Sequence, residues 1–327
     1  MKKYLMCLAE VVVCMVVLAA DESKIEAMRA GATVREVLRV VDEQDAPVPN
    51  AKVWGGLSMG GGLSAYTTID GKTDSNGVFV VEGICRYGLR CEVSHVGFYT
   101  SELKINYASS KAIPSVVDGK WQPYGKTRKI TLKQIKSQGD LVIYDPQYIE
   151  TKIPALDKWL ALDLEKFDWV EPIGRGKHKD VLVKFSHRKG GIRDQSNIME
   201  LSFTNNPYAG AYVRANDDWS ELKSDKRAMT NENFASKFVF GEKINPNGKD
   251  DVHWLDENSY LVYRTRTKVD EKGRLVSAHY GKVYGLWRSN QEFMRMALGC
   301  FNPRENDPDI EDDRMVRAVL KRPFLRE

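Results

Sequence analysis

The chain has 327 residues, of which 42% are apolar, 29% charged and 10% aromatic. That is enough apolar material for two ordinary cores and too much for a disordered or collagen-like chain. The formal charge of +4 arises from 49 basic and 45 acidic side chains that are interleaved rather than gathered into a basic stretch, so no nucleic-acid partner is expected.

Met1-Lys2-Lys3-Tyr4 opens the chain, an apolar run from Val11 to Ala20 follows, and polar Asp21-Glu22-Ser23-Lys24 comes next. A basic start, an apolar core of about 10 residues and small residues at 19 and 20 make residues 1–20 a secretory signal peptide. A bilayer span needs about 20 residues, so no stable transmembrane segment is expected after cleavage. The alternatives are an uncleaved anchor and a lipoprotein, the second disfavoured by the valines before Cys14. The expected location is outside the cytoplasm: periplasmic, cell-surface or secreted. Residues 21–32 read as a polar connector of at most a helical turn or two.

From Thr33 the pattern becomes short extended runs: Val34–Val41, Ala51–Trp54, Ala65–Asp70, Val78–Val81, Leu89–Val93 and Leu103–Tyr107. Leu89, Cys91 and Val93 alternate with Arg90, Glu92 and Ser94, and this period of two with one wet face predicts an antiparallel sandwich. Asn76-Gly77 predicts a type I′ hairpin turn between strands. Residues 108–126, with Pro114, Gly119, Pro123 and Gly125, read as a long loop before a closing strand at Lys129–Lys133. Cys85 and Cys91 bracket a short loop, and in an oxidising compartment they are a candidate disulfide worth about 2 kcal/mol; two small core residues are the alternative. Cys300 reads as a buried thiol.

The opening Val41-Asp42 through Pro47-Val48-Pro49-Asn50-Ala51-Lys52-Val53, the Thr73-Asp74-Ser75-Asn76-Gly77-Val78-Phe79 turn and the late Val96-Gly97-Phe98 resemble the carboxypeptidase regulatory-like domain. The resemblance implies a small Ig-like or transthyretin-like β-sandwich over residues 33–136 and no chemistry, because such domains are joined to many unrelated proteins. Blocks at Trp121-Gln122-Pro123-Tyr124, Asp168-Trp169-Val170-Glu171-Pro172 and Gly281-Lys282-Val283-Tyr284-Gly285 are similar to a group of uncharacterised bacterial exported proteins, which implies one continuous two-part architecture.

Residues 137–327 read as a second β-rich domain with a few short helices. Ile153–Leu160 is expected to form one helix, with Pro154 in its first turn. Alternation at Val181, Val183 and Phe185, at Met199, Leu201 and Phe203, at Phe238 and Phe240, and at Leu261, Tyr263 and Thr265 predicts strands. Asp270-Glu271-Lys272-Gly273 predicts a hairpin turn, and Asp312 or Asp313 an N-cap for a helix bearing Met315, Val316, Val319 and Leu320.

Each chemical motif fails on its mechanics. Gly56-Leu57-Ser58-Met59-Gly60 fits the spacing of a serine-hydrolase nucleophile elbow, but Gly61 and Gly62 follow where a helix must start, so a glycine-rich sandwich loop is expected. Asp70–Gly77 has Lys72 and Gly83 where a calcium loop needs carboxylates. The acid run Asp307, Asp309, Glu311, Asp312 and Asp313 is the better cation candidate, although such runs are usually solvated. Gly71-Lys72-Thr73 and Gly125-Lys126-Thr127 lack the leading glycine of a phosphate loop. The five histidines, His95, His178, His187, His253 and His279, have no metal-binding spacing. No catalytic residue, metal or cofactor is therefore assigned.

Aromatics are what remains: Trp54, Trp121, Tyr124, Trp169, Tyr208, Tyr212, Trp219, Trp254 and Trp287. Most belong in cores, but Trp219, in the polar run Asn216-Asp217-Asp218-Trp219-Ser220, is the candidate ligand contact. The sequence thus reads as an exported, non-catalytic binding or structural protein with a protein or glycan partner. A carbohydrate-binding module is one alternative, and an enzyme with an unrecognised site in residues 140–327 is another.

Overall fold

A computed structural model describes residues 22–60, 65–109, 115–135, 140–144, 150–189, 195–204, 207–217, 219–244, 252–256, 258–285, 288–295 and 298–320. Residues 1–20, where a signal peptide is expected, and Trp287 lie outside them. The protein is mainly β and divides into two compact units: residues 1–135 with Asp218–Glu221, and residues 136–217 with 222–327. No helix among the described residues is long and apolar enough to cross a membrane.

The connector forms helix α1 at residues 22–30. It is longer than the sequence suggests because Ala27 is buried in the core with Met28 packed against it, and Gly31, at φ +93°, closes it with its N–H on the Ala27 carbonyl. Nine strands follow: β1 (Ala32–Val41), β2 (Lys52–Ser58), β3 (Tyr66–Lys72), β4 (Val78–Cys85), β5 (Gly88–Ser94), β6 (Ser101–Asn106), β7 (Val116–Val117), β8 (Lys120–Trp121) and β9 (Lys126–Thr131). One sheet runs β3-β2-β5-β6, and the other runs β4-β1-β8-β7 with β9 also on β1. Their facing sides supply one core, including Val34, Leu38, Val53, Leu57, Leu89 and Trp121.

Two expectations change here. The Asn76-Gly77 turn is not a hairpin, since β3 and β4 belong to different sheets. Among its residues only Gly77 has positive φ, and Asp74 Oδ1 accepts the N–H groups of Asn76 and Val78, so the segment is an aspartate-capped crossover between sheets. The expected loop at 108–126 contains β7 and β8, and β8 inserts Trp121 into the core with its indole N–H on the Cys85 carbonyl at 2.8 Å.

Cys85 and Cys91 are both free thiols in this structure. Cys85 ends β4 in one sheet and Cys91 lies on β5 in the other, and the Cys85 thiol is turned onto the carbonyl oxygens of Gly88 (3.1 Å) and Ser58 (3.5 Å). Burial pushes the Cys85 thiol up, the Cys91 thiol up to about 12 and the Cys300 thiol up to about 11, which leaves little thiolate to react. Iodoacetamide at pH 8 is therefore expected to leave the native chain unmodified at these positions, and in denaturant without reductant to label all three. Labelling of Cys300 alone, read by intact mass, would show that the bridge forms after all.

The second unit holds β10 (Val142–Tyr144), β11 (Glu150–Lys152), β12 (Leu160–Asp163), β13 (Asp168–Trp169), β14 (Val181–Lys189), β15 (Gln195–Ser202), β16 (Gly210–Ala215), β17 (Lys237–Ile244), β18 (Ser259–Val269), β19 (Leu275–Tyr284), β20 (Arg288–Ser289), β21 (Phe293–Arg295) and β22 (Gly299–Phe301), then helix α2 (Asp313–Leu320). Its sheets run β10-β22-β19-β18-β16, β13-β12-β14-β15-β17 and β11-β21-β20. Strand β18 is buried on both faces: Leu261 and Tyr263 pack with Val183, Phe185 and Leu201, whereas Tyr260 and Val262 pack with Ile310 and Met315. This double burial explains the four consecutive apolar residues Tyr260–Tyr263 at its start.

Residues 153–159 form no helix, against expectation. The Ile153 N–H is taken by the Glu292 carbonyl and the Asp157 N–H by the Phe185 carbonyl, and Asp157 has φ +56°. Amides committed to distant partners cannot make the bonds of a local helix. Helix α2, by contrast, starts after Asp312, whose Oδ1 accepts the Arg314 N–H at 2.9 Å as an N-cap.

Candidate functional site

On β2, β5 and β6 alternate residues face the core, as Ile69 does on β3, which leaves the other set on a wet outer face. Trp54 pairs across the strands with Asp70 on one side and Glu92 on the other; Glu92 pairs with Glu102, and Arg90 with Lys104. Residues 219–221 lengthen this row. Ser101 and Ser220 form an antiparallel bridge, the Glu102 N–H donates to the Trp219 carbonyl at 2.6 Å, and the Glu221 N–H to the Thr100 carbonyl at 2.9 Å. Because Ser101 and Ser220 are both buried, their neighbours Glu102 and Trp219 share the outer face.

The result is one line across the sheet: Asp70, Trp54, Glu92, Glu102, Trp219. Trp54 is 52% exposed and Trp219 49%. Three steps of strand spacing separate the two indoles by about 14 Å. Tyr66, 45% exposed, adds a third ring farther along the same face, opposite Ser58. A Cβ on Gly56 would stand 2.9 Å from the Tyr66 Cβ, so only glycine lets Tyr66 lie against the strand there.

Between the indoles the groups are charged. Glu102 is held by the Arg90 guanidinium and by Lys104 Nζ at 3.1 Å. Such exposed pairs contribute at most about 1 kcal/mol to stability, but they fix donors and acceptors in the line joining the aromatic rings. Glu92 directly opposite Glu102 is unfavourable on an antiparallel pair, and the two cations offset it.

The other sequence candidates fall elsewhere. Gly56, Leu57 and Ser58 lie in β2, not in a loop: a Cβ on Gly55 would come within 2.1 Å of the Arg90 carbonyl oxygen, so these glycines serve close strand approach. The Ser58 carbonyl accepts the N–H of Arg86 at 2.9 Å, as backbone in a sheet. The acid run is not solvated throughout, since Glu311 and Asp312 are buried and Asp312 binds Arg314. Among the described residues no group of three or more His, Cys, Asp or Glu side chains is placed to hold a metal. Trp121, Trp169 and Tyr212 are core residues, whereas Trp159 and Tyr208 are exposed in the second unit. A cleft of about 440 Å³ beside α1 carries Glu22, Glu26 and Asp118 and no aromatic side chain.

One carboxylate cluster occupies the second unit. Asp163 and Asp180 are buried, and Arg266, at φ +50°, reaches both: Nη2 to Asp163 Oδ1 at 3.1 Å, Nε to Asp180 Oδ1 at 2.9 Å and Nη2 to Asp180 Oδ2 at 3.0 Å, with Nη1 on Glu165 at 2.6 Å. Burial pushes both aspartates up. The amides of Lys177, His178, Lys166 and Glu165 outweigh it for Asp163, which ends below the usual carboxylate range, whereas Asp180 stays above it. Each carboxylate oxygen of the two aspartates accepts from an amide, from Thr265 or from Arg266, which is the arrangement of a structural clasp rather than of a free acid or base.

Sequence reasoning singled out Trp219 and counted Trp54 among the aromatics. It missed Tyr66, Arg90, Glu92, Glu102 and Lys104. The signal for the β5 pair was present in the alternation of Arg90 and Glu92 with Leu89, Cys91 and Val93.

No protein-family model and no curated protein matches the chain. Among solved structures, similarity extends to the 3-chlorocatechol 1,2-dioxygenase of Rhodococcus opacus 1CP, at 14% identity over 33% of this chain and 62% of that one, with a TM-score of 0.25. The shaft pilin SpaA of Lactobacillus rhamnosus GG matches at 11% identity over 81% of this chain and 98% of that one, with a TM-score of 0.24. A DUF3823 family protein of Parabacteroides merdae matches at 10% identity over 72% and 91%, with a TM-score of 0.21.

Proposed function

We propose that this is an exported, non-catalytic binding protein whose ligand surface is the outer face of the β3-β2-β5-β6 sheet, carried on a carboxypeptidase regulatory-like sandwich. The observation behind this reading is the exposure of Trp54, Tyr66 and Trp219 on one wet face. Each indole left half in water forgoes roughly 1–2 kcal/mol of burial, a cost that a bound ligand would recover. The motif resemblance of residues 33–136 supports the sandwich, and the apolar run to Ala20 supports export.

The test is co-sedimentation of the purified mature chain with the envelope fraction of the producing cell. The native chain is expected to sediment, and a Trp54→Ala, Tyr66→Ala, Trp219→Ala triple variant to stay in the supernatant with its melting temperature nearly unchanged. Equal sedimentation of the two would remove this face as the binding surface.

A further inference from the structure

We infer that the ligand of this face is a neutral polysaccharide chain, lying along the line from Trp54 to Trp219; the inference rests on the binding reading above. A pyranose ring has C–H faces that stack on an aromatic ring and hydroxyl edges that need donors and acceptors. The face presents both kinds of group in alternation: indole, then Glu92 and Glu102 with Arg90 and Lys104 on Glu102, then indole.

A protein partner fits this pattern poorly. The centre of a protein interface is depleted of charge and apolar, whereas here the centre is charged and the apolar rings stand at its ends. A single sugar is too small for indoles about 14 Å apart, so the ligand extends over several rings. An anionic polymer would meet Asp70 and Glu92 on either side of Trp54, so the chain it takes is uncharged. Hydroxyl donors of a bound chain would use the carboxylates of Glu92 and Glu102, which face each other across β5 and β6.

Envelope material from the producing cell, divided into a protease-digested portion and a periodate-oxidised portion, tests this. Binding is expected to survive protease and to disappear once periodate has cleaved the sugar diols. Trp54→Ala and Trp219→Ala should each weaken binding to the protease-digested material by about tenfold or more, and Trp54→Phe should restore most of it. Glucose and mannose should not compete, while oligosaccharides of several rings released from the same material should. Binding lost to protease and retained after periodate would overturn the inference and leave a protein ligand on the same face. Binding abolished by moderate salt would overturn the neutral assignment. Failure of the untreated envelope to discriminate native chain from the triple variant would instead remove the face itself.

Discussion

Arg266→Ala is expected to destabilise the second unit by about 3–5 kcal/mol, because it strands two buried carboxylates without their shared cation. The guanidinium contacts Asp163, Glu165 and Asp180 and lies over the Phe301 ring at 4.5 Å. Burial pulls the Arg266 guanidinium down, and its hydrogen bonds and charge pairing with Asp180, Glu165 and Asp163 outweigh that and raise it. Arg266→Lys is expected to recover only part of the loss, since one ammonium cannot reproduce a planar fork of donors.

The pH dependence has a definite sign. Asp163 is lowered in the fold, so its contribution is present above the unfolded carboxylate pKa and is lost as pH falls through the folded value. Asp180 is raised, so ionising it costs stability as pH rises from the unfolded value through the folded one. Without Arg266 the Asp180 cost grows, because burial remains and the cation does not. The stability gap between native chain and Arg266→Ala, measured by urea unfolding, is therefore expected to narrow from pH 7 to pH 4. A gap that stays constant would mean that packing of the arginine stem, not its charge, holds the site.

Trp121→Ala should act on the first unit with similar force. Trp121 is fully buried, its ring stacks on Tyr107 with centroids 6.0 Å apart, and its N–H satisfies the Cys85 carbonyl. Removing a buried tryptophan costs about 3–5 kcal/mol, a large part of the roughly 5–15 kcal/mol available to a typical domain. The first unit should then lose its near-ultraviolet circular dichroism at a much lower temperature, and Trp121→Phe should lose less. An alanine variant melting within a degree or two of the native chain would show that β7 and β8 are peripheral.

Much of the architecture is local, and so legible in the residues. The alternation of Leu89, Cys91 and Val93 with Arg90 and Glu92 determines a half-buried strand, the Asp312 cap marks the start of α2, and Asp270 to Gly273 form the turn between β18 and β19. These features depend on side-chain period and on hydrogen bonds spanning a few residues, which a linear reading contains. Strand partnership is different, because it is set by pairing between residues far apart in the chain. Only the folded chain places the Thr73–Gly77 turn between two sheets, commits the amides of Ile153 and Asp157 to distant carbonyls, and turns a glycine-rich stretch into the close-packed strand β2. The binding face shows the same division. Trp219 stands out in sequence as an aromatic in a polar run, but what gives it a role is its alignment with Glu102, Glu92 and Trp54, and that alignment exists because the edge of β6 had backbone groups left to pair and Trp219 to Glu221 supplied theirs.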